Sequence, residues 1–126
     1  MSRWRCFILM AVLGAIGLPG RAWAEASGTI AANPNPCVLA RRASTCTSYI
    51  TWSTQGATHA KVFVLGPHKS GPRETEFGSS LACESERCRA PWIKRKNSYV
   101  FTLYDYSSGT RGRALASVNV TAQSRQ

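Results

Sequence analysis

From residue 25 onward, apolar and polar residues alternate in short runs separated by turn-forming clusters. An alternation of period two places successive side chains on opposite faces of a strand, whereas a helix against a core needs apolar residues three and four apart. No such helical stripe occurs in this part of the chain. Gly28 to Ala32 forms the first run, and Asn33-Pro34-Asn35-Pro36 ends it, because two prolines cannot donate to a ladder. From Cys46 to Ser53, Cys46, Ser48, Ile50 and Trp52 share one face and Thr47, Tyr49 and Thr51 the other. Lys61 to Leu65 turns Val62 and Val64 inward. Glu74 to Ser80 offers Phe77 as its only large apolar residue, and Cys88 to Ile93 is short. Tyr99 to Tyr104 aligns Tyr99, Phe101 and Leu103, and Ala114 to Thr121 aligns Ala116, Val118 and Val120. Turns fall at Gln55 to Thr58, Gly66-Pro67, Gly71-Pro72 and Ser107 to Thr110, and residues 122–126 read as a polar, frayed tail. Seven strands in this span predict an all-β Greek-key sandwich in a single domain, residues 25–126, with Trp52 as the central aromatic.

The first 24 residues have a different grammar. Arg3 and Arg5 precede an apolar run from Cys6 to Gly17, Leu18-Pro19-Gly20 breaks it, and Ala22-Trp23-Ala24 offers small residues before Glu25. That order is the order of a cleaved secretory signal peptide. The run is shorter than the ~20 residues a membrane-crossing helix requires, and no later stretch is long enough either. A secreted or periplasmic protein without a membrane span is expected. Four cysteines then remain: Cys37, Cys46, Cys83 and Cys88. In an exported domain an even count predicts two disulfides, and four cysteines allow three pairings. Each of Cys37–Cys46 and Cys83–Cys88 brackets a short turn-like stretch, which favours those two. A zinc site would need ligands at metal spacing, and His59 and His68 lie far from the cysteines in sequence.

The combination Ala32-Asn33-Pro34-Asn35-Pro36-Cys37, Cys46-Thr47 and Ile50-Thr51-Trp52-Ser53-Thr54 resembles the opening of small immunoglobulin-like or fibronectin type III-like modules of secreted bacterial proteins. Ala90-Pro91-Trp92-Ile93, Tyr99 to Tyr104 and Leu115 to Val120 extend the resemblance over roughly residues 28 to 122. It implies a seven-stranded sandwich in which Tyr99 opens the sixth strand as a tyrosine corner, its hydroxyl bonded to backbone a few residues upstream. It also implies a spacer, an adhesion module or an accessory domain beside glycan-processing enzymes, here acting in trans. Cys83, Cys88 and the density of arginine and lysine are not part of that pattern.

The chemistry-bearing residues argue for binding, not catalysis. There is no Gly-x-Ser-x-Gly, no His-Glu-x-x-His and no phosphate loop, and His59, His68 and Asp105 sit in or beside turns. No enzyme activity and no cofactor are expected. Formal charge is +10 for 16 Lys and Arg against 6 Asp and Glu, and losing Arg3, Arg5 and Arg21 with the leader lowers it to +7. In a Greek-key sandwich the first, third and fifth interstrand loops emerge at one end. These would carry Arg41 and Arg42, then His68, Lys69 and Arg73, then Lys94, Arg95 and Lys96. One pole of concentrated positive charge attracts polyanions. The opposite pole would hold Arg87, Arg89, Arg111 and Arg113, diluted by Glu84, Glu86 and Asp105. The expected partner is an anionic envelope polymer or acidic glycan, or another exported protein. Nucleic acid is disfavoured, because Trp52, Tyr99 and Phe101 belong to the core and no exposed aromatics interleave with the basic residues. Two alternatives stand beside this: a structural or protein-interaction domain without a ligand, and a small protease inhibitor presenting the Cys83–Cys88 loop. Tyr49, Phe63, Tyr104 and Tyr106 are the outward aromatics that a sugar platform could use.

Overall fold

The computed structural model describes residues 25–125. The signal-peptide reading of residues 1–24 therefore lies outside the described residues. The described residues form two β-sheets and a single 3-10 turn, and alternating burial along the strands follows the sequence alternation. The strands are β1 (Ser27–Asn33), β2 (Cys37–Leu39), β3 (Thr45–Gln55), β4 (Ala60–Gly66), β5 (Arg73–Gly78), β6 (Ala82–Cys83), β7 (Arg89–Lys94), β8 (Ser98–Asp105) and β9 (Ala114–Ser124). In the first sheet β3 pairs antiparallel with β1 on one side and with β6 and β7 on the other. The second sheet has the order β2-β9-β8-β4-β5. The fold is thus all-β, built as two layers.

Among the described residues the expected count of seven strands is corrected to nine. All seven sequence-predicted strands are present; β2 and β6 are additional. After Asn33 the chain leaves the first sheet, and Cys37–Leu39 pairs parallel with Ala122–Ser124 in the second. Three residues give too little alternation to register in the sequence. The same pairing orders the tail, which was expected to fray: β9 runs to Ser124. Asn35 knits the crossover to β9, donating from Nδ2 to the Asn119 carbonyl (2.9 Å) and accepting from the Thr121 N–H (3.3 Å). β6 and β7 run along one edge of β3, separated by the 3-10 turn Glu86–Cys88.

The core lies between the layers. Cys46, Ser48, Ile50 and Trp52 of β3 are buried, as are Val62 and Val64 of β4 and Tyr99, Phe101 and Leu103 of β8. Ser48 is the buried polar residue among them, and its hydroxyl donates to the Pro34 carbonyl at 2.9 Å. An unpaired hydroxyl there would cost about 1–3 kcal/mol. Trp52 donates from Nε1 to the Ser80 carbonyl (2.9 Å) and packs edge-on against Phe77. Cys37 and Cys46 are disulfide-bonded, joining β2 of one sheet to β3 of the other, and Cys83 and Cys88 are bonded across the 3-10 turn.

Candidate functional site

Antiparallel strands deliver their loops alternately to the two ends of the sandwich. β3, β5 and β8 start at one end, and β4, β7 and β9 finish there: Thr45 lies opposite Lys94, Gly66 opposite Arg73, and Ser98 opposite Thr121. The connecting segments 40–44, 67–72 and 95–97 contain no acidic residue. All seven residues expected at the basic pole, Arg41, Arg42, Lys69, Arg73, Lys94, Arg95 and Lys96, sit on this end and are exposed.

Within that end the seven do not form one cluster. Arg41, Arg42, Lys94, Arg95 and Lys96 surround a concavity of about 640 Å³, and the ordered tail adds Arg125 to its lining. Arg73 lines a separate cleft, and Lys69 lines neither. Arg125 was overlooked because residues 122–126 read as frayed; the apolar-polar rhythm continuing through Val120-Thr121-Ala122 was the available signal.

Two tight turns build the concavity. Ala43 donates its N–H to the Ala40 carbonyl (3.0 Å), and Asn97 donates to the Lys94 carbonyl (3.3 Å). The third residue of each turn has a left-handed backbone: Arg42 with φ 63° and Lys96 with φ 69°. Such positions favour glycine or asparagine. Here both carry long cations. Arg95 donates to the Ser124 hydroxyl (2.9 Å), which joins the β7–β8 turn to the end of β9. Ion pairs among the described residues are Lys61–Glu76, Arg111–Glu74 and Arg113–Glu25, and none of them involves a pole residue.

The neighbouring cleft, about 380 Å³, opens between the edge strands β5 and β7. Its lining includes Phe77, Trp92, Tyr99, His68, Arg73 and Glu76. The pairing of β3 with β7 slips here: Cys46 faces Ile93 but Ser48 faces Ala90, leaving one extra residue on β7 around Pro91-Trp92. A bulge breaks the alternation and re-aims a side chain. Trp92 is 37% exposed beside this bulge, while its ring stacks on Phe101 (centroids 5.9 Å apart) and meets Tyr99 and Phe77 at T-shaped angles. Sequence reading passed over Trp92; Pro91 inside a strand was the signal of a bulge. The Tyr99 hydroxyl accepts from the Lys94 N–H and from Asn97 Nδ2, both at 3.3 Å, so a tyrosine-to-backbone bond links the cleft to the cationic turn. Gly66 is required beside it, because a Cβ there would come within 2.7 Å of the Tyr99 ring.

The remaining candidates are elsewhere. Arg87 lies within the 3-10 turn and Arg89 just after it, along the edge of the first sheet and not at the opposite pole. Arg111 lies over the outer face of the second sheet, 4.5 Å from the Phe63 ring and 4.2 Å from that of Tyr104, and donates to the Glu74 carboxylate at 2.8 Å. Hydrogen bonds to Glu74 and Tyr106 hold its guanidinium more basic than a free arginine. Lys61 sits 5.0 Å from the Tyr106 ring, so Phe63, Tyr104 and Tyr106 are covered by cations, not open as a platform. Asp105 anchors the β8–β9 loop. Its carboxylate accepts from the Ser107 hydroxyl (2.6 Å) and N–H (2.9 Å), and these bonds, then Arg113, hold it below the usual aspartate range. His59 and His68 fall at opposite ends of β4. The bridged stretch containing Glu84, Ser85, Glu86 and Arg87 is exposed and coiled, with Ser85 capping the Arg87 N–H.

A chain of two β-layers, stapled by two disulfides and cationic at one end, is the class of protein that these features define. Among the described residues no helix is long and apolar enough to cross a membrane. No protein-family model matches the chain, and no curated protein or solved structure matches it.

Proposed function

We propose that this chain is an exported, non-enzymatic binding module of the immunoglobulin or fibronectin type III type, working in the periplasm or outside the cell. Its working surface is the cationic end, and its partner is an anionic envelope polymer or acidic glycan. The observation that carries this is the concavity ringed by Arg41, Arg42, Lys94, Arg95, Lys96 and Arg125, none of which is ion-paired among the described residues. A run of unneutralised cations on facing turns concentrates potential where the low-dielectric body of the protein cannot disperse it. Two disulfides support export, since such bonds persist in oxidising compartments.

The test is binding of the purified protein to a hexuronate polymer and to inorganic polyphosphate. Neutralising Lys94, Arg95 and Lys96 together, as glutamines, removes three exposed contacts of ~0.5–1 kcal/mol each, so affinity for both polymers should fall at least about tenfold. The fold should survive, because all three side chains are exposed. Undiminished binding by the triple variant would remove the cationic end from the function and favour a ligand-free structural domain.

A further inference from the structure

We propose that the Trp92 cleft is a saccharide subsite, which takes one ring of an acidic glycan on the outer face of the indole with the ring's carboxylate toward Arg73. This deepens the proposed function, and rests on it, by assigning the polymer to carbohydrate instead of polyphosphate or nucleic acid.

The geometry of Trp92 carries the inference. One face of its ring is occupied by Phe101, stacked at an interplanar angle of 22°, and Tyr99 and Phe77 pack against it in T-shaped contacts at 64° and 75°. The indole is therefore fixed before any ligand arrives, yet it remains more than a third exposed in a cleft. A rigid aromatic face with little side-chain entropy left to lose suits the apolar face of a pyranose ring. A hydrophobic side chain exposed merely by chance would not need three aromatic neighbours holding it in one orientation.

The polar rim selects the ring's substituents. Arg73 donates to His68 Nε2 at 3.2 Å, which holds the guanidinium at the mouth of the cleft, and it has no carboxylate partner among the described residues. Guanidinium matches a carboxylate through two parallel donors. The acid in the lining, Glu76, is paired with Lys61 at 3.2 Å and so does not repel an anion with a full free charge. Continuity supplies the rest. Tyr99 lines the cleft, while its hydroxyl is bonded to the Lys94 backbone at the edge of the cationic concavity. A chain with one ring on Trp92 runs directly onto Lys94, Arg95 and Lys96. Isolated phosphates could use those cations, but they present no apolar face to the indole.

The experiment titrates galacturonate oligomers and, separately, inorganic polyphosphate into the wild-type protein, Trp92→Ala, Trp92→Phe, Arg73→Gln and the Lys94, Arg95, Lys96 triple variant. Thermal melting verifies each fold. Arg73→Gln touches no core residue, so it keeps the test open even if Trp92→Ala fails to fold. Trp92→Ala and Arg73→Gln should each weaken oligomer binding roughly fivefold to tenfold, with Trp92→Phe intermediate; polyphosphate binding should be unchanged in Trp92→Ala and should fall only about twofold in Arg73→Gln, which loses one exposed charge of the cationic end. Oligomer, and not polyphosphate, should shift the tryptophan emission, because among the described residues Trp52 is buried and Trp92 is the indole that a ligand can reach. Oligomer binding that needs the lysine turn but is indifferent to Trp92 and Arg73 overturns the subsite and leaves the proposed function standing. Dependence on Trp92 and Arg73 without dependence on the lysine turn does the reverse. An equal loss of both polymers in Arg73→Gln and Trp92→Ala, or no binding of oligomer by the wild type, also overturns the subsite.

Discussion

Arg42 and Lys96 hold left-handed backbone angles in two facing turns. For a residue with a Cβ this conformation costs roughly 1–2 kcal/mol relative to the right-handed regions. Glycine would relieve that strain while adding ~0.4–1 kcal/mol of unfolded-chain entropy to be lost on folding. The relief exceeds the entropy, so Arg42→Gly and Lys96→Gly should each stabilise the domain by a few tenths to about 1 kcal/mol in urea unfolding. The same substitutions should weaken polyanion binding by roughly two- to fivefold, since each removes one exposed charge. Gain of stability with loss of binding is the signature of side chains kept for a ligand. If glycine destabilises the fold, the cations are held there by intramolecular contacts instead. Nothing in the sequence displays these angles: Ala40 to Ala43 and Lys94 to Asn97 contain no glycine to announce a left-handed turn. They arise because strand ends a fixed distance apart must be closed by four residues.

At the scale of elements, the long strands were legible and the short ones were not. β3 and β8 bury alternate residues against the opposite layer, and that burial is what the alternation encodes. β2 and β6 have three and two residues and owe their conformation to the partner they meet. β2 depends on its disulfide as well. By loop entropy alone the two bridges, closing separations of 9 and 5 residues, contribute a similar ~2–3 kcal/mol each. Their mechanical roles differ. Cys37–Cys46 crosses between layers, whereas Cys83–Cys88 stays at one edge of the first sheet. Replacing Cys37 and Cys46 by alanine should therefore cost about 3–4 kcal/mol and expose the amides of Cys37–Leu39 and Ala122–Ser124 to hydrogen exchange. Replacing Cys83 and Cys88 should cost closer to 2 kcal/mol and leave those amides protected. Equal exchange in both variants would show that β2 is held by its ladder alone.

For the whole molecule, charge placement follows from strand direction. The cations are separated by tens of residues in sequence, and only the antiparallel layers return them to one end. Four of the acids, Glu74, Glu76, Glu25 and Asp105, are engaged by Arg111, Lys61, Arg113 and the β8–β9 loop, which leaves the cations of that end without an ion-pair partner among the described residues. Exposed charges are screened over ~8 Å at physiological ionic strength and ~3 Å at 1 M. Polyanion affinity measured by titration calorimetry should thus fall steeply between low salt and 0.5 M, on the order of a hundredfold. The triple lysine–arginine variant should show a flatter slope. Trp92→Ala should keep the wild-type slope, since it removes an aromatic face and no charge. Salt-independent binding would mean that the contact is apolar and lies elsewhere.

Periodicity and composition are local properties, and they determined what depends on local rules: an all-β chain, the positions of its long strands, the inward faces with Trp52 and Phe101, the favoured cysteine pairs and the excess of positive charge. The topological rule for a sandwich extended that far enough to collect seven cations at one end. Tertiary structure alone decided how they divide. It drew Arg125 into the concavity through a parallel pairing of β2 with β9, and it set Arg73 apart in a cleft. At the bulge of β7 it left Trp92 stacked on Phe101 yet partly exposed at the rim of the core. Each of these rests on a contact between segments far apart in the chain, and such contacts leave no periodic trace in either segment.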